Sequence, residues 1–346
     1  MSRLSLRTLI AGVILSVTLG LSAVPPASAA PVVPAAGYGF TEGALITTLS
    51  QADIDREMNV VAQTNAKWFR VLIDRSTIET SPGVYNWGPT DRVVNAARKR
   101  GLSVIGLIAF TPLLQGGGLL RTAPPARATD FSAFAARAVQ RYRGSSSTWE
   151  IWNEPNLPAF FGLVANKPAR YVALLRATYP VIKRIQPRST VIAAGLSPLL
   201  GSDSPPQFMR DIYRLGAKRY FDAAAMHPYV FPSGFAKDPL NAFSDVARVR
   251  DIMVRNGDAG KKIWFTEFGA PTNGPRFGGN TPIQQRDQIK EGLARIARLP
   301  YAGPVIIYSI RDYSNDPRTL NDRETRFGAL LTYDYKLKPT FDLLRR

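Results

Sequence analysis

The sequence contains no cysteine and a single histidine, His227, among its 346 residues. Without cysteine, the chain cannot form a disulfide bond, a thiolate nucleophile or a thiolate metal site. One imidazole cannot build a multi-histidine zinc centre, and a serine triad would have to use this one side chain. Carboxylates are therefore the natural candidates for catalysis. No dinucleotide fingerprint or metal-ligand cluster is visible in the sequence, so we expect no cofactor and no metal.

Long apolar runs are also missing, except near the N-terminus. Arg3 and Arg7 precede an apolar stretch at residues 9–21, and small residues at 27–29 offer a cleavage site. This order is typical of a secretory signal peptide, and the stretch is shorter than the roughly 20 residues of a membrane-spanning helix. We expect a signal peptide at residues 1–29, no transmembrane segment, and a protein secreted to the cell exterior or the cell wall.

Acidic residues are scarce relative to basic ones, with 26 Asp and Glu against 44 Lys and Arg and a net charge of +18. The basic residues are scattered singly and join no aromatic motif for nucleic acids, so we expect no nucleic-acid partner. For an exported protein, attraction to an anionic cell wall or an acidic glycan is one interpretation, and simple solubility is another. Both stay open at this stage. We expect a monomer.

The composition, with 45% hydrophobic and 10% aromatic residues, is sufficient for a large buried core. After a short Pro/Ala linker at residues 30–36, apolar runs of strand length alternate with amphipathic stretches to the end of the chain. The predicted strands are residues 37–41, 68–74, 102–110, 148–153, 190–196, 221–227, 262–267 and 304–310. The predicted helices are residues 51–64, 91–100, 131–142, 169–185, 206–215, 240–255, 281–298 and 338–344, several of them opening at a capping residue: Ser50, Thr90, Asp130 or Asn280.

Eight strand–helix units predict an α/β protein with one (β/α)8 TIM barrel over residues 37–346, because continuous apolar strands indicate a parallel sheet covered on both faces. A doubly wound open sheet is the main alternative. Such a sheet normally carries a glycine-rich phosphate turn after its first strand, and the sequence has none. In the barrel, we expect Trp149 and Trp264 to face the helices.

Two glutamates, Glu154 and Glu267, terminate apolar strands, in the segments WEIWNEPN and IWFTEFG. Strands four and seven lie across a barrel mouth from one another, so the two carboxylates are predicted to face each other. Such a pair can cleave a glycosidic bond, one member donating a proton and the other attacking the sugar. Arg70, ending strand two, is a candidate cation to keep the second carboxylate ionised. A structural salt bridge is the alternative for each glutamate alone, and it is the expected role of Glu150, buried beside a cation or a hydroxyl group.

These segments resemble clan A of the glycoside hydrolases, a large group of retaining barrel enzymes, and families 5 and 39 most closely. The resemblance covers the chain after the linker. It is carried by WNEPN at 152–156, TEFG at 266–269, WFR at 68–70, PGVYNW at 82–87, MHPY at 226–229, FGALL at 327–331 and KPTF at 338–341.

The resemblance implies that Glu154 is the general acid/base and Glu267 the nucleophile. It further implies that Asn153 hydrogen-bonds the 2-hydroxyl of the sugar and that Arg70 supports the nucleophile. The substrate would be a poly- or oligosaccharide, with β-linkages favoured.

The resemblance also places His227 and Tyr229 in contact with substrate, with Tyr229 able to donate to the nucleophile. Many clan members end strand eight with a tryptophan platform, whereas this chain has Tyr308, which we expect to stack against the sugar instead. Nearby, Arg311 and Asp312 either bind a charged sugar or pair with each other at the rim.

Three other functions remain open from the sequence. A transglycosylase that remodels cell-wall glycans would form the same intermediate and pass it to a sugar. A non-catalytic carbohydrate-binding barrel would keep the fold without turnover, although intact carboxylates argue against it. A nucleic-acid-binding protein is suggested by charge alone and would bind with steep salt dependence.

Overall fold

The computed structural model describes residues 32–115 and 120–345, and the predicted signal peptide lies outside the described residues. Eight parallel strands form a barrel: β1 (Tyr38–Thr41), β2 (Trp68–Asp74), β3 (Ser103–Ala109), β4 (Ser146–Ile151), β5 (Thr190–Leu196), β6 (Ala223–Met226), β7 (Ile263–Phe268) and β8 (Ala302–Tyr308). The barrel is closed, with the strands in the order β1-β8-β7-β6-β5-β4-β3-β2. The predicted (β/α)8 barrel is confirmed.

One main helix follows each strand. These helices are α1 (Gln51–Ala62), α2 (Gly88–Lys99), α3 (Ala128–Tyr142), α4 (Lys167–Ile185), α5 (Pro205–Arg214), α6 (Ser244–Arg255), α7 (Pro282–Ala297) and α8 (Pro339–Leu344). A two-stranded antiparallel hairpin, Glu79–Ser81 with Val84–Tyr85, lies between β2 and α2. No helix in the described part of the chain is long and apolar enough to cross a bilayer.

Helix starts were predicted less accurately than the strands. Ser50 caps α1 as expected, accepting a hydrogen bond from the backbone N–H of Asp53 at 3.1 Å. The cap of α7 is Thr281, one residue beyond the predicted Asn280, and it forms a capping box with Gln284. The predictions for Thr90 and Asp130 are wrong, since both residues lie inside helices that begin two or more residues earlier.

The lower half of the barrel interior, at the N-terminal ends of the strands, is filled by apolar side chains. This cluster comprises Ile105, Ile192, Ala223, Ala225, Trp264 and Ile306, with Trp68 packed against it. Trp264 makes an edge contact with Trp68 at 5.3 Å between ring centroids, so its predicted position under the helices is wrong. Trp149 does belong to the outer core, where its indole N–H donates to Gln186 of the segment after α4. In the described part of the chain, the open space of the barrel lies at its upper end, where the strands have their C-terminal ends.

The first and last strands are joined at this upper end by a buried carboxylate. Glu42, immediately after β1, accepts backbone N–H hydrogen bonds from Ile310 at 2.5 Å and Arg311 at 3.2 Å. Burial raises the pKa of Glu42 well above its ordinary value, and the neighbouring charge of Glu57 adds to this effect. Arg311 pairs with Glu57 at 2.6 Å, while Asp312 pairs with Lys338 at 3.2 Å. Arg311 and Asp312 thus belong to structural ion pairs and not to the sugar contact or mutual pair considered above.

Candidate active site

A cavity of about 260 Å³ opens at the C-terminal ends of the strands. Six of the seven residues proposed from the sequence line it: Arg70, Asn153, Glu154, Tyr229, Glu267 and Tyr308. The seventh, His227, is completely buried and does not line the cavity. In a (β/α)8 barrel, this end of the strands is where active sites lie.

The turn after β4 aims Glu154 into the barrel mouth. Trp152 and Glu154 both have positive φ angles, 73° and 44°, which are costly for residues other than glycine and recur at functional sites. The turn is held by the indole N–H of Trp152, which donates to the carbonyl of Phe160 at 2.7 Å. It also ends β4 at Ile151, two residues before the predicted end.

Arg70 connects three groups of the site through one guanidinium. Its Nε donates to Glu150 at 2.6 Å, Nη1 to Glu267 at 2.6 Å, and Nη2 to the Oδ1 atom of Asn153 at 2.9 Å. The side chain is 3% exposed, so these charge-assisted hydrogen bonds form away from water. Because the Oδ1 atom of Asn153 is an acceptor here, the amide nitrogen of Asn153 is left to donate into the cavity.

Glu267 is held in its ionised form by these neighbours. Oε1 accepts from Arg70, and Oε2 accepts from the hydroxyl group of Tyr229 at 2.8 Å. Burial opposes ionisation, but the positive charges of His227 and Arg70 and these hydrogen bonds outweigh it, so the pKa of Glu267 lies below its ordinary value. A carboxylate in this state is suited to nucleophilic attack.

A register irregularity in β7 brings both Thr266 and Glu267 to the interior side. Successive residues of a regular strand point to opposite faces, yet these two contact groups within the barrel. The pairing of β7 with β8 shifts between Phe265 and Phe268, the interval that contains both residues. Such irregularities commonly redirect side chains next to active sites.

His227 contacts Glu154 on the side that faces away from the cavity. The Nδ1 atom of His227 lies 2.8 Å from Oε1 of Glu154 and 3.7 Å from Oε2 of Glu267. The imidazole ring packs so closely on Gly195 that a Cβ atom there would lie 2.0 Å from Nε2. His227 therefore occupies a buried position behind Glu154, and its contact with substrate stays a prediction.

Glu150 occupies the floor of the site, as the sequence predicted. It is completely buried and paired with Arg70, and its Oε1 atom accepts from the hydroxyl group of Thr266 at 2.9 Å and from the backbone N–H of Gly195 at 3.0 Å. Three donors thus satisfy this carboxylate, so the sequence assignment of a structural role with a cation and a hydroxyl partner agrees with its contacts.

Glu154, His227 and Glu267 place one polar atom each within 4.8 Å of one another. Such a group can hold a cation in principle. Here, however, the guanidinium of Arg70 lies 2.6 Å from Glu267 and would repel a metal ion, while the Nδ1 atom of His227 is engaged by Glu154. The contacts define a hydrogen-bonded cluster suited to proton transfer.

The wall of the cavity includes Glu324, a residue that the sequence analysis did not single out. Glu324 lies 3.4 Å from the hydroxyl group of Tyr308, and the ring of Tyr308 packs against Phe327 at 5.1 Å. Burial, followed by the charge of Glu267, raises the pKa of Glu324. Glu324 belongs to a short helical turn far from any apolar strand, so neither periodicity nor a motif could identify it.

No protein-family model matches the sequence, and no curated protein matches it significantly. Solved structures do match over most of the chain. A family 39 glycoside hydrolase from Bacteroides cellulosilyticus WH2 superposes with a TM-score of 0.68 and 19% identity, over 89% of this chain and 62% of that one. This chain therefore spans less than two thirds of that enzyme.

Two further matches have similar values. A monomeric β-xylosidase from Caulobacter crescentus CB15 gives a TM-score of 0.68 and 18% identity, over 91% of this chain and 68% of that one. A family 5 subfamily 18 structure from Streptomyces cattleya, in complex with GlcNAc, gives a TM-score of 0.66 and 16% identity, over 91% of this chain and 79% of that one. At these identities the likeness establishes the fold. The predicted resemblance is confirmed at that level: this chain has the barrel fold of glycoside hydrolases of families 39 and 5.

Proposed function

We propose that this protein is a secreted retaining glycoside hydrolase that cleaves β-O-glycosidic bonds of a poly- or oligosaccharide. The observation that carries the proposal is the proximity of Glu154 and Glu267, whose carboxylate oxygens lie within 4.8 Å in one cavity. Retaining enzymes hold their two carboxyl groups about 5–5.5 Å apart, whereas inverting enzymes need roughly 6.5–9.5 Å for an intervening water.

The two carboxyl groups have environments that match different roles. Glu267, kept in its ionised form by hydrogen bonds from Arg70 and Tyr229, attacks the anomeric carbon while Glu154 gives its proton to the departing glycosidic oxygen. A covalent glycosyl-enzyme ester results. Water then enters, Glu154 takes a proton from it, and the resulting hydroxide displaces Glu267 with overall retention of configuration.

The orientation of Asn153 supports sugar binding in this mechanism. Its Oδ1 atom accepts from Arg70 at 2.9 Å, so its amide N–H groups are the donors available to a sugar hydroxyl in the cavity. A hydrogen bond to the 2-hydroxyl strengthens as the oxocarbenium-like transition state forms. Arg70 thereby orients both the nucleophile and the residue that contacts the sugar.

The size of the cavity favours a short part of the substrate. A volume of about 260 Å³ lies just below the roughly 300–1,000 Å³ of typical ligand pockets, so we propose that the cavity binds a short part of the saccharide. Phe231, Phe327 and Tyr308 provide aromatic surface for the ring. The net charge of +18 supports association with an anionic wall or glycan. Activity that is indifferent to salt and strongest on neutral glycans would contradict this association.

The mechanism is tested by trapping its intermediate. A panel of activated 2-deoxy-2-fluoro glycosides is incubated with the protein, and peptides are analysed by mass spectrometry. We expect one sugar to be attached to Glu267, no label in Glu267→Gln, and normal labelling in Glu291→Gln, a control at an exposed glutamate on α7. A label on another residue, or a product of inverted configuration, would contradict the proposal.

Hydrolysis and glycosyl transfer share this intermediate and are separated by their products. The protein is incubated with substrate in the presence and absence of an acceptor sugar, and the products are identified by mass spectrometry. Release of free sugar as the main product under both conditions supports a hydrolase. Predominant transfer to the acceptor would favour the transglycosylase.

A further inference from the structure

A line of buried hydrogen bonds runs from Glu154 away from the cavity. The Oε1 atom of Glu154 lies 2.8 Å from Nδ1 of His227, and Nε2 of His227 lies 3.0 Å from the hydroxyl oxygen of Thr266. That hydroxyl group lies 2.9 Å from Oε1 of Glu150. His227, Thr266 and Glu150 are all completely buried. The atoms that carry the protons along this line are therefore determined by contacts within the protein and not by hydrogen bonds to solvent.

The direction of each hydrogen bond follows from its last member. Glu150 is paired with Arg70, and an ionised carboxylate can only accept. Thr266 must therefore donate its single hydroxyl proton to Glu150. Its oxygen is then left to accept from His227, which requires a proton on Nε2.

We propose that Thr266 is a positioning residue that keeps a proton on Nε2 of His227, so that His227 gains and loses its other proton only at Nδ1, directly against Glu154. Its catalytic consequence rests on the function proposed above; the assignment of the proton does not. Thr266, whose hydroxyl group is oriented by Glu150, would thus determine the proton state of the acid/base Glu154.

The 2.8 Å contact between Nδ1 and Glu154 must contain a proton in either charge state of His227. When His227 is neutral, with Nε2 protonated, that proton can come only from Oε1 of Glu154, and the acid proton is turned away from the cavity. When His227 is charged, Nδ1–H fills the contact, and the acid proton of Glu154 can reside on Oε2. Among the described residues Oε2 has no hydrogen-bond partner, so it is the oxygen available to the leaving group.

The charges around His227 favour its protonated form. Glu154 and Glu267 face Nδ1, Arg70 and Tyr229 lie on the cavity side, and Thr266 connects Nε2 to Glu150. Burial alone would lower the pKa of His227, but the charge of Glu267 and the hydrogen bond to Glu154 raise it above its ordinary value. The protonated form of His227, with Nδ1–H in the contact to Oε1 of Glu154, is thereby favoured, and Oε2 of Glu154 is left outside that contact.

The tautomer can be read directly because His227 is the only histidine of the chain. The protein, purified without a polyhistidine tag and labelled with 15N-histidine, gives one imidazole in NMR spectra that correlate ring nitrogens with ring protons. Across a pH titration we expect Nε2 to stay protonated throughout and only Nδ1 to titrate. A neutral form protonated on Nδ1, or a mixture of the two tautomers, would overturn the proposal.

Two substitutions at position 266 separate the hydroxyl group from its volume. Thr266→Val keeps the shape and removes the hydroxyl, and Thr266→Ser restores it. In Thr266→Val we expect a tautomer mixture, a lower pKa of His227 because the imidazolium loses an acceptor, and a fall in kcat/KM of about tenfold. The alkaline limb of the pH profile of kcat/KM should move to lower pH, because His227 then loses its proton at a lower pH. Thr266→Ser should resemble the wild type in the NMR titration and the rate profile.

The control is Thr178→Val, at an equally buried threonine of α4 whose hydroxyl group has no partner within the described residues. It should leave the spectrum and the kinetics unchanged. An unchanged tautomer or an unchanged pH profile in Thr266→Val would overturn the proposal. If the wild-type protein and all variants cleave no glycoside, the proposed function fails, while the NMR titration still decides the assignment of the proton. Should Thr266→Val not fold, the wild-type titration and Thr266→Ser decide it.

Discussion

The guanidinium of Arg70 lies 2.6 Å from the carboxylate of Glu267, and the same guanidinium also holds Glu150 on the floor of the barrel. Arg70 comes from β2, whereas Glu150 and Glu267 come from β4 and β7. The side chain of Arg70 therefore connects three strands and holds the negative charge of Glu267 in the position from which we propose that it attacks an anomeric carbon. The position of the proposed nucleophile and the stability of the barrel depend on the same contact.

Replacing Arg70 should therefore affect stability as well as activity. Arg70→Met leaves Glu150 and Glu267 without their cation, and loss of one partner from a buried pair costs about 3–5 kcal/mol. We expect the free energy of unfolding to fall by about this amount, measured by urea denaturation near neutral pH. As a control, Arg214→Met removes an exposed arginine paired with Asp211 and should leave the unfolding midpoint close to that of the wild type. A small loss for Arg70→Met would contradict the assigned contact.

Tyr229→Phe removes the hydroxyl group that donates to Glu267 at 2.8 Å. Hydrogen bonds to charged groups contribute about 1.5–3 kcal/mol, so we expect kcat/KM to fall about ten- to a hundredfold. The pKa of Glu267 is lowered in the wild type, partly by this hydroxyl, and should rise in the variant. Because the nucleophile must be ionised, the acidic limb of the pH–rate profile should then move to higher pH. Tyr333→Phe, at an exposed tyrosine, is the control, and an unmoved acidic limb would refute the role.

The raised pKa of His227 gives stability a specific pH dependence. A raised pKa in the folded state stabilises the protein fully below the unfolded value, about 6.5 for histidine, and the contribution is lost as the pH rises through the folded value. The difference in unfolding free energy between wild type and His227→Gln should thus be larger at about pH 6 than at about pH 9. Urea denaturation at a series of pH values measures it. A difference that is constant, or that grows with pH, would contradict the charged histidine.

Glu42 is expected to matter as an acceptor and not as a charge. Its carboxyl group accepts from the backbone N–H groups of Ile310 and Arg311, and burial, followed by the charge of Glu57, raises its pKa. The two N–H groups donate to different oxygens of Glu42, so Glu42→Gln keeps an acceptor for one of them and should lower the unfolding free energy less than Glu42→Ala does. Glu42→Ala leaves buried N–H groups unsatisfied and should cost about 1–3 kcal/mol. Equal losses in the two variants, measured by denaturant unfolding, would refute this role.

The amino-acid pattern alone determined the elements of this fold. All eight strands lie within two residues or so of their predicted ends, because runs such as WFRVLID and SVIGLIA are apolar over the length of a strand and are separated by amphipathic stretches. It also located Glu154 and Glu267, since an ionisable group that ends an apolar strand is conspicuous in a linear sequence. Both features depend on residues that are neighbours in the chain.

Tertiary structure decided which side chains meet. The burial of His227 behind Glu154, the contact between Thr266 and Glu150, and the return of Glu324 to the cavity wall each depend on strand register or on a loop far along the chain. The interior position of Trp264 likewise follows from which face of β7 points inward. A shift of one residue in register exchanges the two faces of a strand, and only closure of the barrel fixes that register.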